Sequence, residues 1–454
     1  MNTTDRFEMP LPGPPSGIAF PAVTRSRLSN GLSVWTLPHS ALPVVSFALV
    51  LDCGTSADPP GKHGLASLVG SLAAESAGPH DSIALADALM RIGGDLEVQP
   101  GADVTIVSLL TLARHAPAGL DLLADVVMRP QLNAADFDRV RDLRLSRLRQ
   151  ASRIAGTIAD RALIAAVFAD HPYSRGSLGT TRTVEGMTVD DARDFWTSGW
   201  SPAGATLIAV GDLTEAELLA EATRVFGKWT GNPSPAPPTR LPVMRRATDV
   251  IAVHRPGAAQ AEVRVGHLAP PRYTPEYYGL ITLNALLGGE FTSRINRNLR
   301  ERRAITYGAR SGFDLRRAGG VFSCDAAVQA DSAAVALSEI QRELRDVAVS
   351  GAVAPDELEQ ARASLTRGYV RHFETAAHLA RAAATLATYN LPADTYDKFV
   401  PRVLELTAAD ITGLAQTFLR PDDAALVVVA DLDQYRGTLA DQLGRPVTET
   451  TIEF

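Results

Sequence analysis

The chain has 454 residues, 46% of them hydrophobic and 21% charged, which is the balance of a globular protein with room for two to four cores. Its net charge is −7, with 44 basic residues scattered among 51 acidic ones, and this excludes the basic footprint of a nucleic-acid binder. Two cysteines, Cys53 and Cys324, exclude a disulfide framework or a cysteine zinc ribbon, and no apolar run reaches the roughly 18 residues of a membrane span.

Residues 1–25 begin "MNTTDRFEMPLPGPPSG", a proline-rich extended tail without the basic and apolar regions of a secretory signal, so cytoplasm and periplasm both stay open. "LSVWTLP" and "VVSFALVLD" read as strands, Lys62 to Ala77 and Ser82 to Ile92 as helices. "RIGGDLEVQP" leads into an edge strand to which an extended peptide can add, and "DVTIVSLLTL" is a further strand. Helices follow at about 115–129 and 134–155. No G-x-G-x-x-G follows a strand and no G-x-x-x-x-G-K-[ST] occurs, which disfavours a doubly wound nucleotide fold.

The rest of the chain repeats the first design. "MTVDDARDFWTSGWSPAGATLIAVGDL" (187–213) and "LTAADITGLAQTFLRPDDAALVVVADL" (406–432) align without a gap at an offset of 219. In each, a threonine opens a helix, a proline follows it, and an apolar strand ends at an aspartate. "QLNAADFDRVRDLRLSRLRQ" and "AVAPDELEQARASLTRGYV" form a second matched pair, both long helices. Between the copies lies "TGNPSPAPPTRLP", whose prolines make an extended linker. The expectation is an α+β protein of two homologous α/β-sandwich halves, each a mixed or antiparallel sheet covered by helices. The first spans 26–229, the linker 230–245 and the second 246–454, closing like a clam.

The order "NGLSVWTLP", "GTSADPPGKHGLASL", "HPYSRGSLGT", "SPAGATLIAVGDL", then a second similar half with "LRERRAITYG", resembles the pitrilysin and mitochondrial-processing-peptidase family of inverted-motif zinc proteases over roughly residues 26–435. The resemblance implies a helix after "GKxGLA" carrying H-x-x-E-H, with a further Glu about 76 residues on. Histidines at i and i+4 share one helical face and can hold one metal, while the Glu reaches the bound water. In register this chain offers Ser67, Leu68, Val69, Gly70 and Ser71, and the downstream position falls near Arg147, beside Ser146. Neither an imidazole nor a carboxylate is left to bind zinc. The nine histidines make neither H-x-x-E-H nor H-E-x-x-H, and His63 and His171 read as surface, capping or packing residues.

In the second half "NALLGGEFTSRINRNLRERRAITYGARSG" resembles the family segment whose Arg and Tyr bind the substrate's backbone carbonyl, here Arg300 and Tyr307. Read without the family, Arg300 joins a solvated face with Arg294, Arg297, Arg302 and Arg303. The resemblance therefore implies a non-catalytic subunit with no cofactor of its own, zinc being held by a homologous partner in a heterodimer or a dimer of heterodimers, and an unfolded peptide as substrate. The alternative is a structural or peptide-holding protein of the same fold without a catalytic partner. A hydrolase with another nucleophile finds no support, since no G-x-S-x-G elbow or paired Cys–His signature is present.

Overall fold

The computed structural model describes Gly13 and residues 17–231, 241–243, 248–349 and 351–454. Most of the expected linker 230–245, and most of the tail before residue 17, lies outside them. Two six-stranded sheets form the frame. The first contains β1 (Thr24–Arg27), β2 (Ser33–Pro38), β3 (Val44–Leu51), β4 (Asp95–Pro100), β5 (Thr105–Leu112) and β6 (Thr206–Gly211), in the order β1-β2-β6-β3-β5-β4. The second contains β7 (Val250–His254), β8 (Gln260–Ala269), β9 (Thr306–Asp314), β10 (Gly320–Gln329), β11 (Ala425–Ala430) and β12 (Val447–Glu449), in the order β12-β7-β11-β8-β10-β9.

Five strands of each sheet correspond in order and direction: β2 and β7 run parallel to β6 and β11, and the other neighbours pair antiparallel. β6 and β11 lie at the repeat offset read in the sequence. The helices preceding them start at Thr188 and Thr407, whose hydroxyls close capping boxes with Asp191 and Asp410. The fold is the expected pair of helix-covered mixed sheets.

Four helices matter for the site. These are α1 (Leu65–Ala73), α2 (Ala134–Ala151), α3 (Ala155–Phe168) and α4 (Ala376–Tyr389). α1 is shorter than the expected 62–77, because Asp58 caps the chain at Gly64, whose φ of +94° is a left-handed value suited to glycine. The expected helix 134–155 ends at Ala151, and extended backbone at Ile154 starts α3 separately.

α3 and α4 change places between the halves. Alternate residues of the first sheet, Val45, Phe47 and Leu49, face a core shared with α1 and α2, while Trp35, Ala48, Val50, Ile208 and Val210 face Leu379, Ala380, Ala383 and Leu386 of α4. In the second sheet Val427 and Val429 face Ile158, Ala162 and Leu163 of α3. Each sheet is thus buried on both faces, which is why β3, β6 and β11 are nearly unbroken apolar runs. Burying one leucine of these helices contributes about 2 kcal/mol, so the swap ties the halves firmly.

Close approach has a requirement: a Cβ on Gly266 of β8 would come within 2.9 Å of Leu163 and 2.8 Å of the Phe322 carbonyl. The halves also share a polar node. The Tyr173 hydroxyl donates to Asp103 and accepts from the Ala318 N–H at 3.1 Å, Asp103 accepts the Arg317 N–H at 3.0 Å, and Arg317 pairs with Asp52. Cys53 and Cys324 are buried and free.

Candidate functional site

On α1 the residues Leu65, Leu68, Val69 and Leu72 are buried in the core, which turns Ser67 and Ser71 to the other side. The helix start is held by Asp58, a buried carboxylate that accepts the N–H groups of Gly64 and Ala66 at 2.7 Å each. Burial outweighs those bonds and pushes its pKa up to about 6. Ser71 donates to the Ser67 carbonyl at 3.1 Å, one turn back. Gly70 is closed off: a Cβ there would meet Pro100 of the edge strand β4 at 2.8 Å and Val98 at 3.1 Å.

The space before Ser67 and Ser71 is filled from α2. This helix buries Phe137, Val140, Arg144 and Leu148, a stripe at helical spacing in which one member is charged. Arg144, 2% exposed, donates to the Ser67 hydroxyl at 2.8 Å, the Ser67 carbonyl at 3.0 Å and the Ser71 hydroxyl at 3.2 Å. Burial, followed by the charge of Arg147, lowers its pKa to about 10, against an opposing pull from Asp58. Arg147 and Ser146 are exposed, so the α2 residue that faces the motif is Arg144, one turn before the position read from the sequence. Arg144 escaped the sequence reading because an arginine among arginines passes for surface. The usable signal was its place in the Phe137–Val140–Leu148 stripe.

These residues do not fit a zinc ion. Two hydroxyls and a carbonyl already accept from a guanidinium, and a second cation would meet that charge in a low-dielectric setting. Nor do the other histidines assemble a site. His63 is half-buried, its pKa lowered by burial and by Arg175 and Arg182, and His171 accepts the Tyr173 N–H beside the ring of that residue. Among the described residues one cluster brings together three side chains able to bind a metal, His254, Asp431 and Asp433. There Asp431 caps a helix and accepts from Gly257 and Gln434, and His254 accepts the Leu432 N–H. That arrangement is a helix start.

Arg300 and Tyr307 lie in the second half, where two π-helical stretches, Ala285–Gly289 and Arg297–Arg302, lead into β9. Asn296 fixes the junction, donating to the Ala309 carbonyl at 2.8 Å and accepting the Ala309 N–H at 2.9 Å. Three neighbouring arginines are anchored, Arg294 and Arg297 on Glu357 and Arg303 on Glu339. Arg300 differs. Its guanidinium lies 3.3 Å from the Phe291 ring centroid and reaches only the adjacent Glu301, at 2.8 Å, while its Nη1 is buried without an acceptor. Tyr307, on the sheet-edge strand β9, is 93% exposed, extreme for a strand tyrosine. No hydrogen bond joins Arg300 to Tyr307, or either to α1, among the described residues.

The profile described as "Insulinase (Peptidase family M16)" matches residues 36–181, and the one described as "Peptidase M16 inactive domain" matches residues 186–365. An uncharacterized zinc protease of Mycobacterium tuberculosis is 26% identical over 364 residues, covering 80% of this chain and 82% of the relative. Mitochondrial-processing peptidase subunit beta of Saccharomyces cerevisiae is 22% identical over 219 residues, covering 48% of this chain and 47% of that one. Among solved structures, a peptidase M16 inactive domain from Pseudomonas fluorescens superposes with a TM-score of 0.84 at 23% identity, covering 90% of this chain and 98% of its own. A protease from Helicobacter pylori gives 0.82 at 19% identity, covering 90% and 99%.

Proposed function

The chain belongs to peptidase family M16, and from that premise we propose that it is the non-catalytic subunit of a heterodimeric zinc peptidase. A homologous partner keeps the metal motif, and this chain contributes half of the peptide chamber together with Arg300 and Tyr307. The observation that carries this reading is the Arg144 guanidinium bonded across Ser67 and Ser71, which occupies the motif positions where the family resemblance puts the metal ligands. The subunit name of the yeast relative supports a paired arrangement.

The chemistry assigned to Arg300 and Tyr307 is transition-state binding. A guanidinium tied through one nitrogen to the adjacent Glu301, which can turn off the Phe291 ring, and a phenol open to solvent are two donors that can take the carbonyl oxygen of a scissile peptide as negative charge develops on it. The pair needs no metal or nucleophile on this chain. The edge strands β4 and β9 offer unpaired backbone to an extended peptide.

The test is a cleavage assay with each chain alone and with both mixed. Chelator-sensitive activity is expected only in the mixture. Arg300→Ala or Tyr307→Phe should lower turnover on the order of 100-fold, the usual cost of one oxyanion donor, while the complex still assembles. Unchanged turnover in both variants would remove the carbonyl-binding role of the pair, absence of activity in the mixture would leave the holding-protein reading, and chelator-sensitive cleavage by this chain alone would overturn the proposal.

A further inference from the structure

A cavity of about 250 Å³ lies between α4 and the second half's own helices, and the peptidase reading makes no use of it. Aromatic rings form much of its wall, among them Tyr277, Tyr278 and Tyr369, the last stacked on Phe399 with centroids 4.2 Å apart. The charged and ionisable lining groups other than the tyrosines are all basic: Arg272, His372, His378 and Arg381. No carboxylate lines it. His378, Arg381, Ala382 and Thr385 follow the i, i+3, i+4, i+7 pattern, so one face of α4 supplies them.

Arg272 is the informative residue. It is 8% exposed, and its guanidinium sits 3.4 Å from the Tyr277 ring centroid and 5.9 Å from that of Tyr389. Stacking of this kind contributes about 2 kcal/mol when desolvated, yet it satisfies none of the guanidinium's N–H donors. Among the described residues no oxygen accepts from them. Other buried arginines are served: Arg264, 5% exposed, bonds Asp160, Glu262 and two carbonyls, and Arg144 bonds two hydroxyls and a carbonyl. Of the acids nearby, Asp394 pairs with Lys398 through Oδ2 and keeps a buried Oδ1 without a partner, Asp397 accepts the Phe20 N–H, and neither accepts from Arg272. His378 adds a buried Nδ1 with no partner. The Arg272 guanidinium faces the cavity with its donors free, and a bound anion would supply the acceptor they lack.

We infer that this cavity binds an arylalkyl carboxylate. The carboxylate accepts from the guanidinium of Arg272, with His378 and Arg381 as further donors, and the ring packs among the tyrosines. The volume falls below the roughly 300–1,000 Å³ of drug-sized sites, which limits the buried part to a single ring and its acid. A free small acid and the C-terminal residue of a peptide ending in phenylalanine offer the same groups.

The experiment is calorimetric titration of the full chain with 3-phenylpropionate, 3-phenylpropan-1-ol, propionate, and the peptide Ala-Ala-Phe with a free or an amidated C-terminus. Saturable binding of 3-phenylpropionate or of the free-acid peptide is expected, weakened about tenfold or more when the acid, the ring or the free terminus is removed. Binding of the small acid alone identifies a metabolite-type ligand; binding of the peptide acid identifies a peptide end. Arg272→Met should abolish the preference for acid over alcohol. Should that variant not fold, the double variant His378→Ala/Arg381→Ala, on the cavity face of α4, carries the same test with a several-fold loss expected. Absence of saturable binding by either acid, equal binding of acid and alcohol, or affinity unchanged in the folded variants would overturn the inference.

Discussion

The guanidinium of Arg144 donates to the hydroxyls of both Ser67 and Ser71, at 2.8 and 3.2 Å, so one buried side chain spans the two positions at which a histidine pair would share a metal. The charge at this place is therefore covalently part of the protein. It is held from α2, fixed by packing around Phe137, Val140 and Leu148, and cannot be exchanged or chelated. Arg144→Ala removes three charge-assisted contacts and opens a cavity, so it should cost about 2–4 kcal/mol. Arg144→Met keeps the volume and relieves a buried charge that has no carboxylate partner, and should cost less than half as much. Urea unfolding of the two variants checks the order. Equal losses would mean that the lost guanidinium contacts, and not the lost volume, set the whole cost.

Restoring the motif by Ser67→His, Gly70→Glu and Ser71→His should fail to create a zinc site. Any side chain at position 70 collides with Pro100, and Arg144 stays in the ligand space. Adding Arg144→Glu exchanges the blocking cation for an acid in contact with both positions, so metal content should rise from the triple to the quadruple variant. Elemental analysis after gel filtration reads this directly. Stoichiometric zinc in the triple variant would show that the guanidinium is easily displaced.

Two buried groups oppose each other in acid. Asp58, raised to about 6, contributes stability that is complete below its unfolded value of 3.8 and is lost as pH rises through about 6. His267 is held neutral by burial, its Nδ1 against the Leu268 carbonyl and its Nε2 accepting the Arg420 N–H, with its pKa lowered to about 4. Its contribution is complete above 6.5 and is lost as pH falls through about 4. Between pH 6.5 and 4 each effect is on the order of 3 kcal/mol and of opposite sign. Asp58→Asn should therefore lose more stability than the parent on acidification, and His267→Gln less. Unfolding free energies at pH 4.5, 5.5 and 6.5 give the three slopes, and parallel slopes would show that neither group titrates on unfolding.

The repeat was legible because it rests on local chemistry. Thr188 and Thr407 read as helix starts and are capped as such, and the strands at the same offset fall into equivalent sheet positions. The exchange of α3 and α4 was not legible. The unbroken apolar runs of β3 and β11 and the apolar stripes of the helices say that both faces are covered, but not which half supplies the cover. The helix break between Ala151 and Ala155 was hidden for a related reason, since no proline or glycine marks it and only backbone geometry at Ile154 does. Arg144 and Arg300 illustrate the same limit at the site. Both sit in arginine-rich helices, and only packing separates the buried bridge from its exposed neighbours and the ring-stacked guanidinium from its ion-paired ones.

The contact between the halves offers a last test. The Tyr173 hydroxyl lies between Asp103 of the first half and the Ala318 N–H of the second, and burial together with Asp103 pushes its pKa well up, so it stays a donor at any physiological pH. Tyr173→Phe preserves the ring's edge-on packing against Phe168, at 5.6 Å between centroids, but leaves the Ala318 N–H without an acceptor and takes one donor from Asp103. Asp103 keeps the Arg317 N–H, so the loss should be about 1–3 kcal/mol, the cost of one buried group left unpaired. Since α3 and α4 lock each sheet to the other half, the variant should still unfold in a single transition with a lower midpoint. Two separated transitions in the variant would mean that this hydroxyl, rather than the exchanged helices, makes the halves cooperate.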